Sequence, residues 1–205
     1  MNSPSMKFNL RYIVLPLIFI VSTVFTPIYA QESSASRAFS EIELGVNYIW
    51  NLSSGDLDEY WNSGSGVDGY FQMPFYAGNI KVGFKYLPFK GRDVNHPNFN
   101  SYYINLAWNE NISFLNRFSL YIGVSVGTFL MSFNDETLTE FRTEESEIGA
   151  AAEAGLNFTV LPGLNFQVST DFLSVFTSRK IKLSGLYAGI SYAFTSPQWI
   201  RDIAE

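Results

Sequence analysis

Residues 147–158 run Glu147-Ile148-Gly149-Ala150-Ala151-Ala152-Glu153-Ala154-Gly155-Leu156-Asn157-Phe158. By composition alone, Glu147–Ala154 reads as a helix, because Ala and Glu are good helix formers. By period it reads otherwise. Ile148, Ala150, Ala152, Ala154, Leu156 and Phe158 fall on one face, and Glu147, Gly149, Ala151, Glu153, Gly155 and Asn157 on the other. A period of two belongs to a strand. The alternation continues to Val160, and Leu161-Pro162-Gly163 then makes a tight turn. The stretch is therefore predicted as a strand.

The same pattern extends outward in both directions. A first strand over Phe39–Trp50 sets Ile42, Leu44, Val46, Tyr48 and Trp50 against Glu41, Glu43, Gly45 and Asn47. A second, Val67–Phe75, opposes Val67, Phe71, Met73 and Phe75 to Asp68, Tyr70 and Gln72. A third opposes Ile80, Val82, Phe84 and Tyr86 to Lys81, Gly83 and Lys85. A fourth opposes Tyr102, Ile104, Leu106 and Trp108 to Tyr103, Asn105 and Ala107. A fifth opposes Phe118, Leu120, Ile122, Val124 and Val126 to Ser119, Tyr121, Gly123, Ser125 and Gly127. Beyond the stretch quoted first, a seventh strand opposes Leu164, Phe166, Val168, Thr170 and Phe172 to Asn165, Gln167, Ser169 and Asp171. An eighth ends on Leu186, Ala188, Ile190, Tyr192 and Phe194.

Connections alternate in length. Tyr76-Ala77-Gly78-Asn79 and Leu161-Pro162-Gly163 are tight, and Asn109–Asn116 reads as a moderate turn. The longer polar loops are Asn51–Gly66, Pro88–Asn98 and Phe133–Thr143, with a short one near Phe176–Arg179. Eight strands with short turns on one side and longer loops on the other predict an all-β, eight-stranded, antiparallel up-and-down transmembrane β-barrel. Such a barrel has an interior that side chains fill. Aromatic placement gives it two belts suited to headgroup level: Tyr48, Trp50, Tyr86 and Tyr102 towards the long loops, and Trp108, Tyr192 and Phe194 towards the short turns. In a soluble barrel the polar face would be outward and richer in Lys and Glu. Here it is largely Gly, Ala, Ser, Asn and Tyr.

The N-terminus supports export. Residues 1–30 resemble a signal peptide, with Lys7 and Arg11, an uncharged run Tyr12–Phe25 and a cleavage box Ile28-Tyr29-Ala30. An uncleaved membrane anchor is the alternative, since the run is nearly long enough to span. A polar lead-in over 31–38, the barrel over 39–194 and a tail over 195–205 complete the domain plan. Removing Lys7 and Arg11 leaves 11 basic against 19 acidic residues, a formal charge near −8. That balance argues against nucleic acid as a partner. With no cysteine, disulfides and thiolate metal sites are excluded.

At this point the chain resembles the small eight-stranded outer-membrane barrels, the family of the OmpA transmembrane domain, OmpX and OmpW. The resemblance spans Phe39–Phe194 and rests on architecture. Its most local element is Tyr187-x-Gly189-x-x-Tyr192-x-Phe194, similar to the terminal signal that barrel-assembly machinery reads. Here eleven residues follow the signal, and its first position is Tyr187 where the family usually has a polar residue. The resemblance implies residence in the cell outer membrane of a Gram-negative bacterium, outer-membrane lipids and lipopolysaccharide as surroundings, and a monomer. The tail is too short for the peptidoglycan-binding domain that follows the OmpA barrel.

The candidate functional groups lie inside and at the rim. Glu41, Glu43, Asp68, Lys81, Lys85, Glu153 and Asp171 point inward, with Glu145 and Glu147 near the outer end. Buried charges need partners, so a lumen network is expected. The acidic excess leaves a cation or shared-proton site at Glu43 and Glu153 as an alternative. Arg179, Lys180 and Lys182 form a basic rim able to contact lipopolysaccharide phosphates. The acidic stretches Asp56–Glu59 and Asp135–Glu145 lack EF-hand spacing. The one histidine, His96, has Asp93 and Ser101 nearby, which keeps open a lipid A-modifying enzyme of this barrel type. A structural or surface-interaction role without enzymatic activity or cofactor is the expected function. A small pore or carrier and the barrel enzyme are the alternatives.

Overall fold

The computed structural model describes residues 38–52, 56–93, 96–133, 144–177 and 181–202. The predicted signal peptide and residues 31–37 of the lead-in lie outside the described residues. Among the described residues nine strands occur: β1 Glu41–Asn51, β2 Trp61–Ser63, β3 Gly66–Phe75, β4 Gly78–Gly91, β5 Phe99–Leu115, β6 Phe118–Phe133, β7 Glu144–Leu161, β8 Leu164–Val175 and β9 Ile181–Thr195. Two short helices, α1 Asp56–Tyr60 and α2 Gln198–Arg201, complete the described elements.

Eight of the strands close on one another. The sheet runs β4-β3-β1-β9-β8-β7-β6-β5, and β4 pairs with β5 to seal it. All pairs are antiparallel. The ladder from Asn51 passes through Gly185, Asp171, Glu153, Gly123, Asn109, Asn79 and Pro74, then reaches β1 opposite Glu41. That is ten residues (51 − 41) below its start. This stagger is what a closed barrel needs, and it tilts the strands by roughly 35–45° from the barrel axis.

One end carries two-residue turns: Tyr76-Ala77, Asn116-Arg117 and Pro162-Gly163. Tyr76 and Gly163 take positive φ values of 50° and 79°, the left-handed backbone that short hairpin turns require. The moderate turn expected at Asn109–Asn116 is instead strand as far as Leu115. Asn109 and Asn111 line the lumen, and Asn109 is satisfied there: its Nδ2 donates to Gln72 Oε1 at 3.1 Å. Polarity had suggested a turn where the lumen supplied the partner.

The other end departs further from the expected loops. β4 continues through Pro88 to Gly91, and Trp61–Ser63 of the expected loop Asn51–Gly66 pairs with Phe89–Gly91. Within that stretch α1 follows a Ser/Gly-rich segment. Leu57 and Trp61, four residues apart, pack against the buried core. The strands therefore stand up beyond the belt of Trp50, Tyr86 and Tyr102.

Above that belt the polarity of the barrel inverts. In the lower half Leu44, Val46, Val82, Leu106, Val124, Ile190 and their neighbours are exposed and point outward. In the upper half the inward positions become apolar. Ile49, Leu87, Phe89, Phe99, Phe129, Met131, Leu173, Val175 and Leu183 form one buried cluster. The outward positions there include the exposed Lys90, Glu144, Ser146 and Lys182. An apolar exterior suits lipid and an apolar interior suits water, so the inversion marks where the surrounding solvent changes.

Candidate functional site

In the lower lumen two inward glycines stand against two inward tyrosines. A side chain at Gly45 would meet the Tyr70 ring at 2.3 Å, and one at Gly155 would meet the Tyr121 ring at 2.5 Å. Gly45 and Gly155 are thus notches that receive inward tyrosines. Across these rings the charges meet. Lys81, from β4, pairs with Glu153 of β7. Lys85, one two-residue step higher on the same face and one more beyond it, pairs with Asp171 of β8. Lys85 Nζ also lies 3.2 Å from Tyr187 Oη and 4.9 Å from the centre of that ring. Lys81 Nζ is 5.4 Å from the Tyr70 ring centre. Both lysines are buried.

Glu153 and Asp171 stand directly opposite each other on β7 and β8. Like charges placed so are destabilising in themselves. The two lysines reach them from the far wall and offset the repulsion. The remaining carboxylates are held by neutral donors. Glu43 accepts from Tyr70 Oη at 2.8 Å and from Gln72 Nε2 at 2.8 Å. Asp68 accepts from Asn47 Nδ2 at 2.8 Å and faces Lys85 across the β3–β4 ladder. Gln167 Nε2 donates to Asn47 Oδ1, which joins β8 to β1. Glu43 and Glu153, the pair considered for a shared proton or cation, each have partners of their own. Glu41 departs from the expected network: as the first residue of β1 it is exposed at the barrel mouth.

Little space is left. The cavity within the charged layer measures about 20 Å3, room for about one water. Above it a second cavity of about 10 Å3, lined by Ile49, Leu87, Phe129, Leu173, Leu183 and Tyr187 among others, is smaller still. The apolar plug lies outside the residues expected to fill the lumen. Phe89 and Trp61, like Leu57 beside them, sit in stretches whose Pro, Gly, Ser and Asp content read as loop. The available signal was continued alternation with its sense reversed, as in Lys85, Leu87, Phe89 inward against Tyr86, Pro88, Lys90 outward.

Aromatic pairs occur at both ends of the barrel. Tyr48 and Trp50 meet edge-on at 4.6 Å, and Tyr86 and Tyr102, opposite each other on β4 and β5, lie 5.4 Å apart. At the turn end Trp108 approaches Phe75, Tyr192 approaches Phe194, and Phe118 packs on Phe158 at 4.9 Å. Phe75, Phe118 and Phe158 were not among the expected belt residues. In the expected assembly signal, Tyr187 faces the lumen and is buried, whereas Tyr192 and Phe194 are on the exterior. Arg179 and Lys180 lie outside the described residues, as do positions 135–143 of the acidic loop. Lys182 is exposed on β9. Asp56–Glu59 begins α1.

His96 has company. Its Nδ1 lies 2.6 Å from Asp93 Oδ1, and its ring packs 4.8 Å from Tyr60 and 5.2 Å from Trp61. Trp61 Nε1 donates to Pro97 O at 2.8 Å, tying the β4–β5 loop to β2. Ser101, the candidate nucleophile, is buried and donates to Leu87 O at 3.0 Å. The loop-end surface also holds a cleft of about 1330 Å3 between the α1–β2 segment and the upper ends of β6 and β7.

These features define a closed eight-stranded transmembrane barrel with a lipid-facing lower half and a filled lumen. Its fold is that of solved small outer-membrane barrels. Neisserial surface protein A superposes with a TM-score of 0.55 at 13% identity, covering 75% of this chain and 96% of that one. Outer membrane protein H of P. aeruginosa gives 0.53 at 12%, covering 76% and 100%. The N-terminal barrel domain of Pseudomonas aeruginosa OprF gives 0.50 at 11%, covering 77% and 100%. No family model matches the chain, and no curated protein matches it.

Proposed function

We propose that this chain resides in a bacterial outer membrane as a structural or surface-interaction barrel, working through the face it presents at the loop end. The observation that carries this reading is the two-layer lumen. Charges locked in pairs below, and the apolar plug above, leave cavities of about 20 and 10 Å3. A hydrated ion needs a continuous polar path that neither layer offers. By contrast the loop end is elaborated into α1, β2 and the extended ends of β4 to β7.

In this reading the loop end faces outward from the cell, and the aromatic residues at the two ends sit at the two interfaces of the bilayer. Lys182, with Arg179 and Lys180, contacts lipopolysaccharide phosphates. Tyr187, Gly189, Tyr192 and Phe194 serve as the signal to the assembly machinery, after which the protein remains a monomer. The enzyme reading has less support, because the Ser101 hydroxyl is committed to a backbone carbonyl.

Planar-bilayer recording of the reconstituted barrel tests the proposal. The expected trace is flat, and lipid A from cells with and without the gene has the same mass. Stepwise conductance from the parent protein would overturn the surface reading in favour of a pore.

A further inference from the structure

We infer that the loop-end cleft is a docking site for a cationic polypeptide segment that also carries apolar side chains. The inference rests on the proposed surface role and names the chemistry of its partner. The cleft, about 1330 Å3, has two kinds of wall. Leu57, Trp61, Phe133 and Ile181, partly buried against the plug, supply apolar surface. Glu59, Glu144, Glu145 and Glu147 supply four carboxylates, and its described lining residues include no Lys, Arg or His.

None of these carboxylates forms an ion pair among the described residues; the ion pairs there are Lys81–Glu153, Lys85–Asp171 and the His96–Asp93 contact. The contrast with the lumen is informative. Where this chain buries carboxylates it provides lysines or amide donors; in the cleft it leaves the acids open to solvent beside apolar surface. An acidic or neutral polar segment would gain nothing from such walls. A purely apolar one would be held near four negative charges. A segment with Lys or Arg between apolar residues satisfies both surfaces, since cations gain from close carboxylates and apolar side chains from leaving water.

The cleft runs from α1 and β2 to the upper ends of β6 and β7. Partner choice then depends on charge, so association falls as salt shortens the reach of the field.

The test uses the full barrel in phosphatidylcholine nanodiscs, with empty nanodiscs as reference, and fluorescence anisotropy of labelled hexapeptides. The probes are Lys-Phe-Lys-Leu-Arg-Lys, its acidic counterpart Glu-Phe-Glu-Leu-Asp-Glu, and the polar cation Lys-Ser-Lys-Ser-Arg-Lys. The first binds best, more weakly at high salt. The variant Glu59→Gln/Glu144→Gln/Glu145→Gln/Glu147→Gln loses about tenfold or more in affinity while keeping the gel migration of the folded barrel. Should that variant not fold, Glu145→Gln/Glu147→Gln carries the same comparison. Absence of binding, equal binding of the acidic peptide, or an unchanged affinity in the variants overturns the inference. Binding that appears only after residues 134–143 are replaced by a Gly-Ser linker assigns the cleft to the chain's own segment and overturns it too. Any of these results, with a flat bilayer trace, leaves the surface role standing; conductance removes the surface role itself.

Discussion

Replacing Lys85 with Met should destabilise the barrel by about 3–5 kcal/mol, the cost of leaving a buried charge without its partner. The size follows from what surrounds the ammonium. Lys85 is 7% exposed, pairs with Asp171, faces Asp68 across the ladder and touches the Tyr187 hydroxyl. Met preserves most of the aliphatic stem, so the loss is of charge and not of packing. Asp171 then stays buried opposite Glu153, with one cation remaining nearby for three carboxylates. The adjoining cavity admits about one water, too little to solvate them. Adding Asp171→Asn removes the stranded charge and should recover most of the loss. Lys90→Met, an exposed position on the same strand, should stay within about 0.5 kcal/mol of the parent. Urea unfolding in phospholipid vesicles, followed by tryptophan fluorescence and by gel migration without boiling, measures all three. A Lys85→Met barrel within about 1 kcal/mol of the parent would refute the claim that the lumen charges are dry and paired.

Two further outcomes follow from the exterior and from the notches. Leu106→Arg places a charge on the outward face, where Leu106 is 55% exposed; it should cost about 2–4 kcal/mol in vesicles if that face meets lipid, while a neutral effect would mean the face meets water. Gly155→Val sets new atoms against Tyr121 and Ser169, both 2.5 Å from the position of a Cβ, and should cost about 1–3 kcal/mol in the same unfolding assay. Gly69→Ala, whose nearest neighbour would be 4.0 Å away, should be close to neutral.

How far the sequence could be read depended on which solvent each residue meets. The alternation of Ile148 to Phe158 was legible because lipid outside and a crowded lumen inside sort side chains cleanly at every second position. So were the inward positions of Lys81, Lys85, Glu153 and Asp171, although their pairing across the lumen depends on barrel stagger, which no single strand records. Phe89 and Trp61 were read as loop because the same alternation changes meaning above the belt, and Pro88, Gly91 and the Ser/Gly run before α1 are turn formers in most settings. Asn109 misled for the opposite reason: a polar residue in a strand end looks like a turn until a hydrogen-bonding partner on β3 is known. The acidic cleft was visible only as separate charges at Glu59 and Glu144 to Glu147, since the loops that bring them together are far apart in the chain.

The crossed lysine and carboxylate pairs also bear on how the barrel comes together. The β7–β8 hairpin, taken by itself, sets Glu153 against Asp171 and has no cation on its inward face to relieve them. Its relief comes from β4, 72 and 86 residues away in sequence, and only in the register that brings Lys81 and Lys85 to the correct heights. A slip of one position would turn those lysines to the lipid. Local hairpins are therefore incomplete as folding units, and the gain from their charges arrives late and all at once, when the cylinder shuts. The interior thus acts as a lock on register: an assembly that closes wrongly is left with two adjacent unneutralised acids, and can reopen and try again.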